Sequence, residues 1–513
     1  MPKYFMRVEA VNLAHFVDDT HDVSTIRGGS FLLLKAIEKI SEEFQSRLQP
    51  ISTAASQGLF FFDCEDNDEG RRETLCADVL NFLRKETGRH ATFLTAIEKE
   101  IAGQFPLVLE KLETQIHRMQ WRMPTVAVPD FELTEQECFL DGWRPGMEPY
   151  RVDPEVQEAK MSAATDFRRR NGRMIKHQLF HALLHDAKYK DNLCAKDLGE
   201  LAHDQTKGVL NGKIALIHID GNSFGAIRRD LCTSPKAREE FDKAIQAGFR
   251  YPFLEALLRR ADNDLNFQTW DAEGNNALRL EVLLWGGDEM TMVVPAWKGL
   301  EVLQLFFNQA QNLAFTGVPL SHRAVIIFCH HNAPILQIRK LANDLLRQTK
   351  YDIRERVDDA LKYDADFQGL SNIQKEEVRQ RLSSHKYGDA LHYLALESFD
   401  MLQGSLKNFL SRYYKGASFS SLLIHAGELA TIREHLQTIH TNVARSKVFE
   451  VIEAVQEGNM NRVKTISQQI YSLLENDIAN KTKNAVNAIT KDDPARWYMV
   501  TDLWDYIPEW KAL

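Results

Sequence analysis

The chain has 513 residues, of which 44% are hydrophobic and 26% are charged, so it is long enough for several packed domains and is neither disordered nor fibrous. Its formal net charge of −9 argues against a surface that binds nucleic acid indiscriminately, because phosphate binding requires an excess of basic groups. The sequence contains no apolar stretch of membrane-spanning length, and its six cysteines show no paired spacing. We therefore expect a cytoplasmic protein without a secretory signal peptide or a membrane partner.

Residues 1–129 predict a small α/β layer in which strands alternate with helices, and residues 130–207 predict a polar connection followed by a helix. The connection carries the densest basic cluster of the chain, which comprises Arg168, Arg169, Arg170, Arg173 and Lys176. A solvated helix face is the favoured interpretation of this cluster, and contact with RNA or a partner protein is the alternative.

Three histidines of the same segment, His177, His181 and His185, recur every four residues, and with Asp186 they could ligate a transition metal. A closed metal site needs a further ligand that the sequence does not place. A half-exposed helix is therefore the favoured interpretation.

A second α/β unit begins with the apolar run from Ile214 to Ile219, which predicts a buried strand that ends at Asp220. Residues 235–260 predict two helices divided near Pro252. Two further strand-like runs, 278–285 and 290–294, are separated only by the turn residues Gly286, Gly287, Asp288 and Glu289, which predicts a hairpin. Residues 324–329 predict a fourth strand, Pro334 opens a helix, and everything after Tyr351 is typical of amphipathic helices.

The hairpin brings acidic residues to the end of the first strand if it packs antiparallel beside that strand. Asp220, Asp288 and Glu289 would then converge, and such close carboxylates repel one another unless a divalent cation lies between them. Hard carboxylate oxygens suit Mg²⁺ or Mn²⁺, and two such ions can orient an attacking hydroxyl and stabilise a leaving pyrophosphate. Gly286 and Gly287 permit positive φ and close approach of a base or phosphate. The alternative is an ordinary turn beside an ordinary strand end.

The run from Ile217 to Gly225, the hairpin from Gly286 to Met290 and the stretch from His330 to Lys350 resemble the palm shared by GGDEF diguanylate cyclases and the large polymerase subunit of type III CRISPR complexes. The CRISPR polymerase is the closer of the two. Segments 27–33 and 55–62 resemble the first, degenerate palm of that subunit.

The resemblance implies an α/β (α+β) multidomain fold with two ferredoxin-like palm domains, the first degenerate, plus helical connecting and C-terminal domains. The implied boundaries are 1–129, 130–207, 208–355 and 356–513. The resemblance also implies two Mg²⁺ or Mn²⁺ ions, whose ligands would be Asp220, Ile219, Asp288 and Glu289. The implied nucleotide-binding residues are Gly221, Asn222, Ser223, Phe224, Gly286, Gly287, Lys350 and Arg354.

Two features of the family are missing. No nuclease domain precedes the segment starting near Tyr4, so DNA cleavage is not predicted. Only Cys138 stands where many members carry a zinc-binding cysteine cluster, and one thiol cannot form that site.

The leading hypothesis is a nucleotidyltransferase that joins nucleoside triphosphates, with ATP favoured, into a cyclic oligonucleotide or dinucleotide messenger in antiviral signalling. Its active site would need either two nucleotides side by side or two subunits that face one another as a homodimer. The alternatives are a catalytically silent scaffold that binds RNA and CRISPR-type protein partners, and a diguanylate cyclase.

Overall fold

The computed structural model of the chain describes residues 2–53, 56–122, 136–150, 159–184, 194–270, 274–362, 364–371, 374–376, 378–379, 388–398, 405–415, 417–491 and 493–511. These residues form a mixed α/β protein of several units. In the described part, no helix is both long enough and apolar enough to cross a membrane.

The first unit is built around a four-stranded sheet. In chain order its elements are β1 (Lys3–Val11), α1 (Ala14–Val17), α2 (Val23–Glu43), β2 (Gln49–Ser52), β3 (Gln57–Asp63), α3 (Glu69–Glu86), β4 (Thr92–Lys99) and α4 (Phe105–Arg122). The sheet order is β2-β3-β1-β4, and every neighbouring pair is antiparallel. Apolar residues line both of its faces, so one face packs on α2 and α3 and the other on α4.

A connecting unit follows, with β5 (Glu148–Tyr150), β6 (Ala159–Met161), α5 (Ala163–Leu184) and α6 (Leu198–Ala202). Helices α2 and α5 cross at Gly28 and Gly172, where the backbones touch. An added Cβ at Gly28 would lie 1.8 Å from the carbonyl oxygen of Arg168. Only glycine allows this crossing.

The basic cluster of α5 is only partly a solvated helix face: Arg170 and Arg173 are exposed, as predicted. Arg168 is fully buried, and its guanidinium donates to Asp19 at 2.7 Å and to the carbonyl of Phe16. Lys176 donates to the carbonyl of Ala195 at 2.6 Å. The prediction of solvation was wrong for Arg168 because its charge joins the connecting unit to the first unit. His177 and His181 lie on α5, whereas the predicted positions of His185 and Asp186 lie outside the described residues.

The second unit is built around a larger sheet. Its elements up to the end of the hairpin are β7 (Lys213–Gly221), α7 (Phe224–Leu231), α8 (Pro235–Ile245), α9 (Tyr251–Asp262), β8 (Gln268–Trp270), β9 (Asn276–Leu278), β10 (Glu281–Trp285) and β11 (Glu289–Pro295). The elements after it are α10 (Gly299–Ala310), β12 (Ala314–Phe315), β13 (Val318–Pro319), β14 (His322–His330) and α11 (Ile335–Leu361). The four strands predicted from the apolar runs are all present, and a π-helical turn at Gln246–Arg250 divides α8 from α9.

The C-terminal part is not purely helical, contrary to the sequence prediction. Its elements are α12 (Ala365–Gln368), β15 (Ala390–Ala395), α13 (Leu406–Tyr413), β16 (Ile424–His425), α14 (Leu429–Asn442), α15 (Arg445–Gln456), α16 (Met460–Ser472), α17 (Asn476–Thr490) and α18 (Trp497–Asp502). Strand β15 pairs in parallel with β14, and β16 pairs with β15, so the sheet order is β10-β11-β7-β14-β15-β16. The sheet therefore continues past the predicted boundary at residue 355.

Aromatic residues near the C-terminus pack onto the body of the protein. The indole N–H of Trp510 donates to Oε1 of Gln304 at 3.0 Å, and the Tyr506 ring lies 4.0 Å from the Phe328 ring centroid. Helix α10 and strand β14 are thus covered by the end of the chain.

Candidate functional site

The predicted acidic residues lie at one end of the second sheet. Glu289 is the direct cross-strand partner of Asp220, and the backbone N–H of Gly221 donates to the carbonyl of Asp288 at 3.1 Å. Directly opposed residues in an antiparallel pair have Cβ atoms about 4.5–5.5 Å apart. The hairpin therefore packs antiparallel beside β7, and its tip meets the end of that strand. We call Asp220, Asp288 and Glu289 the carboxylate rim.

The charges of the carboxylate rim interact. Burial, followed by the charges of Asp220 and Asp288, raises the pKa of Glu289 to about 7, even though its side chain keeps access to solvent. The ammonium of Lys350, on α11, lies 3.0 Å from Oδ2 of Asp220. One cation therefore compensates only part of the negative charge.

The donor set of the carboxylate rim fits a divalent cation. As the side chains lie, no three His, Cys, Asp or Glu residues of the described ranges are arranged around a common metal position. Burial is the larger cause of the raised pKa of Glu289, and repulsion by Asp220 and Asp288 is the smaller one, which a cation would relieve as Lys350 does in part. Ile219 is fully buried in β7, so only its carbonyl oxygen could take part.

Four of the predicted nucleotide-binding residues lie in the turn after β7, and they differ in how accessible they are to a ligand. The amide of Asn222 is buried, donates to Oγ of Ser321 at 2.9 Å and to the carbonyl of Gly388 at 2.6 Å, and accepts a hydrogen bond from Arg323. Its hydrogen-bonding groups are thus engaged within the chain.

The other residues of this turn divide into buried and open positions. The Phe224 ring packs against Phe241 and His322 in an apolar cluster, and an added Cβ at Gly221 would lie 2.7 Å from that ring. Ser223 is exposed, with φ of 57° and no capping bond to helix α7. Of these four residues, Ser223 has the side chain that a ligand can reach.

Gly286 and Gly287 are placed at the hairpin tip as predicted, but neither adopts positive φ. The N–H of Gly286 donates to the carbonyl of Glu289 at 3.0 Å and closes the turn. Their contribution is therefore close approach of the backbone rather than a left-handed conformation.

The two predicted basic residues of α11 diverge. Lys350 reaches the carboxylate rim, whereas Arg354 lies 3.4 Å from Glu376. His330 and His331 lie at the opposite end of the sheet from the carboxylate rim, because His330 pairs with Lys213 while His322 pairs with Gly221. Eight residues of strand separate the two ends, or roughly 27 Å.

A cleft of about 520 Å³ opens beside the carboxylate rim and is walled by both α/β units. Leu33, Ser56 and Gln57 line it from the first unit, and Asp288 and Glu289 line it from the second. The volume is in the range of small-ligand pockets. The site is therefore shared by the two sheets of a single chain.

Four charged residues near the rim were not found from the sequence: Asp18, Arg228, Arg250 and Arg339. Arg250 is fully buried in the π-helical turn, burial lowers its pKa to about 10, and its guanidinium finds no hydrogen-bond partner among the described residues. Its interaction with Asp288 and Glu289 opposes that shift, so it adds a positive charge near the hairpin. Arg228 lies one helical turn after Phe224, and Arg339 lies within the stretch from His330 to Lys350 that resembles the palm, so both could have been found. Asp18 and Arg250 come from segments with no motif.

Comparison with known proteins supports the fold. No protein-family model and no curated protein matches the sequence. The crystal structure of Csm1 from T. onnurineus matches with a TM-score of 0.52 and 10% identity, over 100% of this chain and 70% of that chain.

Two structures of a Csm1–Csm4 cassette also match. The complex with cA4 gives a TM-score of 0.48 and 12% identity over 99% of this chain and 70% of that chain. The complex with pppApA gives a TM-score of 0.44 and 11% identity over 68% of this chain, and the match spans 53% of that chain, about half its length. The protein thus has the fold of Csm1, the polymerase-like subunit of type III CRISPR complexes, as the resemblance in the sequence predicted.

Proposed function

We propose that the protein is a palm-type, metal-dependent nucleotidyltransferase that joins nucleoside triphosphates, ATP first, into a cyclic oligonucleotide or cyclic dinucleotide and releases pyrophosphate. The observation that carries the proposal is the carboxylate rim, with Glu289 directly opposite Asp220 and Asp288 at the turn, beside a cleft. The β-α-β-β-α-β strand order of both sheets supports two ferredoxin-like palms. ATP is favoured by the resemblance to the CRISPR polymerase.

The residues of the rim have separate roles in this proposal. Asp220, Asp288 and Glu289, with the Ile219 carbonyl, would hold two Mg²⁺ or Mn²⁺ ions. Bound ions of this kind lower the pKa of an attacking hydroxyl and stabilise the charge on the leaving phosphates. Lys350 would then leave Asp220 and bind the triphosphate, since an ammonium is an established phosphate ligand.

Both nucleotides can be held by one chain. The cleft lies between the two sheets, so one nucleotide can bind on the second unit while the other is positioned against the wall formed by the first. In this arrangement the acceptor is bound by the same chain, and a homodimer with two facing palms is the alternative. Catalysis then depends on holding the hydroxyl of one nucleotide near the α-phosphate of the other.

The test is product formation from labelled ATP or GTP with Mg²⁺, followed by chromatography and mass spectrometry. We expect a product that Asp288→Ala abolishes and that Asp230→Ala, an exposed carboxylate on α7, leaves unchanged. GTP-only turnover would favour a diguanylate cyclase. An absence of product from every nucleotide mixture, with and without RNA, would contradict the proposal.

A second candidate is a catalytically silent scaffold that binds RNA and CRISPR-type protein partners. The Lys350–Asp220 ion pair favours it, because a built-in ammonium can replace a metal ion where no turnover is required. In that case Mn²⁺ would bind no more strongly to the wild-type protein than to Asp288→Ala, as measured by calorimetry.

A further inference from the structure

An ion pair bridges the cleft between the two units. Asp18 follows α1 in the first unit, Arg339 lies near the start of α11 in the second, and both line the cleft. Nη1 of Arg339 lies 2.5 Å from Oδ1 of Asp18. The side chain of Asp18 is 44% exposed, whereas that of Arg339 is 10% exposed. An anion that enters the cleft therefore meets this pair.

The guanidinium of Arg339 is incompletely satisfied. Its Nη1 atom is buried and forms no aligned hydrogen bond within the described residues, although Asp18 is close. A guanidinium presents its donors in a planar fork that matches phosphate oxygens. Arg339 thus has the charge and the donor shape of a phosphate ligand, and Asp18 is its ion-pair partner in the empty cleft.

The charge balance of the cleft explains why such a residue is needed. Asp18, Asp288 and Glu289 line it and repel an anion, and Arg228 and Arg339 are the cations among its described lining residues. We propose that Arg339 binds the phosphate groups of a nucleotide that enters the cleft, and that Asp18 is a displaceable counter-ion that holds Arg339 in place while the cleft is empty. The proposal rests on the proposed nucleotidyltransferase function and extends it to a residue pair that joins the two units.

A displaceable counter-ion has a signature that a structural ion pair lacks. Removal of the Asp18 charge frees Arg339 and weakens the repulsion of anions, so Asp18→Asn should bind phosphate more tightly. Removal of a purely structural partner would leave affinity unchanged or lower it. The sign of the change therefore separates the two roles.

Calorimetry with inorganic tripolyphosphate in a chelating buffer measures anion binding without metal ions. We expect Asp18→Asn to bind about two- to fivefold more tightly than the wild type, because the removed carboxylate is 44% exposed and solvent screens its charge. Arg339→Gln should bind about tenfold more weakly, with Arg339→Lys between the two. Asp78→Asn is the matched control, because Asp78 is as exposed as Asp18 and pairs with Arg47 at 2.7 Å outside the cleft.

Unchanged or weaker binding by Asp18→Asn would overturn the proposal, as would unchanged binding by Arg339→Gln or no binding by the wild type. A parallel titration with the non-hydrolysable ATP analogue AMPPNP and Mg²⁺ separates this failure from that of the proposed function. If AMPPNP binding requires Asp288 but does not change in the Asp18 and Arg339 variants, the counter-ion proposal is wrong and the proposed nucleotidyltransferase function is retained. If the wild type forms no product and binds neither AMPPNP nor its guanine counterpart, both proposals fall.

Discussion

The two sheets share a strand order but differ at the rim that borders the cleft. In the first sheet Glu9 is the cross-strand partner of Gln57, and in the second Asp220 is the partner of Glu289. The first rim thus pairs a carboxylate with a neutral amide, whereas the second pairs two carboxylates and adds Asp288. The fold itself does not require acidic residues at this position.

The counter-ions of the two rims also differ. Arg7 lies on the same strand as Glu9, 2.8 Å from its carboxylate, and also reaches Oε1 of Gln57 at 3.4 Å. The charge of the first rim is therefore balanced within one strand. The second rim has three carboxylates, and among the described residues Lys350 forms an ion pair with it while Arg250 adds a buried positive charge near the hairpin. Its counter-ions therefore come from other elements of the fold and not from its own strands.

The largest expected difference between the rims is in turnover. Asp220→Asn should lower product formation about a thousandfold, or roughly 4 kcal/mol, because it removes a proposed metal ligand. Glu9→Gln is the counterpart of this variant in the first sheet, and its rate of product formation should stay within a few-fold of the wild-type rate. Equal losses in the two variants, measured with folded proteins of matched circular dichroism, would break the comparison.

The comparison also requires the first unit to be held in place, and the crossing of α2 and α5 fixes the first unit on the connecting unit. Gly28→Ala should lower the free energy of unfolding by about 3 kcal/mol, because its Cβ would overlap the Arg168 carbonyl. Gly70→Ala, on the exposed face of α3 with no atom within 4 Å of the added Cβ, should be neutral or stabilise by about 0.5–1 kcal/mol. Chemical denaturation measures both, and similar values would show that the crossing is not tight.

The counter-ions give a smaller effect that does not depend on activity. In chelating buffer, Lys350→Gln should lower the free energy of unfolding by about 1 kcal/mol, because the carboxylate rim loses its cation. Arg7→Gln should lower the free energy of unfolding by a similar amount, because it removes the partner of Glu9.

Addition of Mn²⁺ distinguishes these two variants. It should restore the melting temperature of Lys350→Gln, since a divalent ion replaces the ammonium, but not that of Arg7→Gln. Restoration of both, or of neither, would remove the distinction between the rims.

The sequence predicted the local elements of the second rim well. A β-branched run that ends at Asp220 and a Gly-Gly-Asp-Glu turn between two apolar runs are strong short-range signals, and their register follows from the hairpin. Strand β15 was missed because a six-residue run that is apolar except for His392, within a helical context, carries no distinguishing periodicity.

The cleft and its charges were beyond the reach of sequence patterns. Asp18 and Arg339 are 321 positions apart, and their contact exists only because the two units pack together. Lys350 and Arg354 share a helical face by spacing, yet only a tertiary contact decides that one reaches Asp220 and the other Glu376. Arg168 has the sequence appearance of a solvated arginine, but the α2–α5 crossing buries it.

The smallest expected difference between the rims is in the pH dependence of stability. Burial and the charges of Asp220 and Asp288 raise the pKa of Glu289 from 4.5 to about 7. The folded protein therefore binds this proton more tightly than the unfolded chain, and the free energy of unfolding falls as the pH rises between these two values.

Glu289→Gln has no proton to lose, so its free energy of unfolding should equal that of the wild type at pH 4 and be higher at pH 8. The difference at pH 8 should be about 1 kcal/mol or less, because the side chain keeps access to solvent. Glu9→Gln should have the opposite sign at pH 8, since it removes the partner of Arg7. Denaturation at both pH values in chelating buffer measures the two effects. A loss of stability at pH 8 for Glu289→Gln would mean that its carboxylate is already compensated, and that the second rim has no more need of a cation than the first.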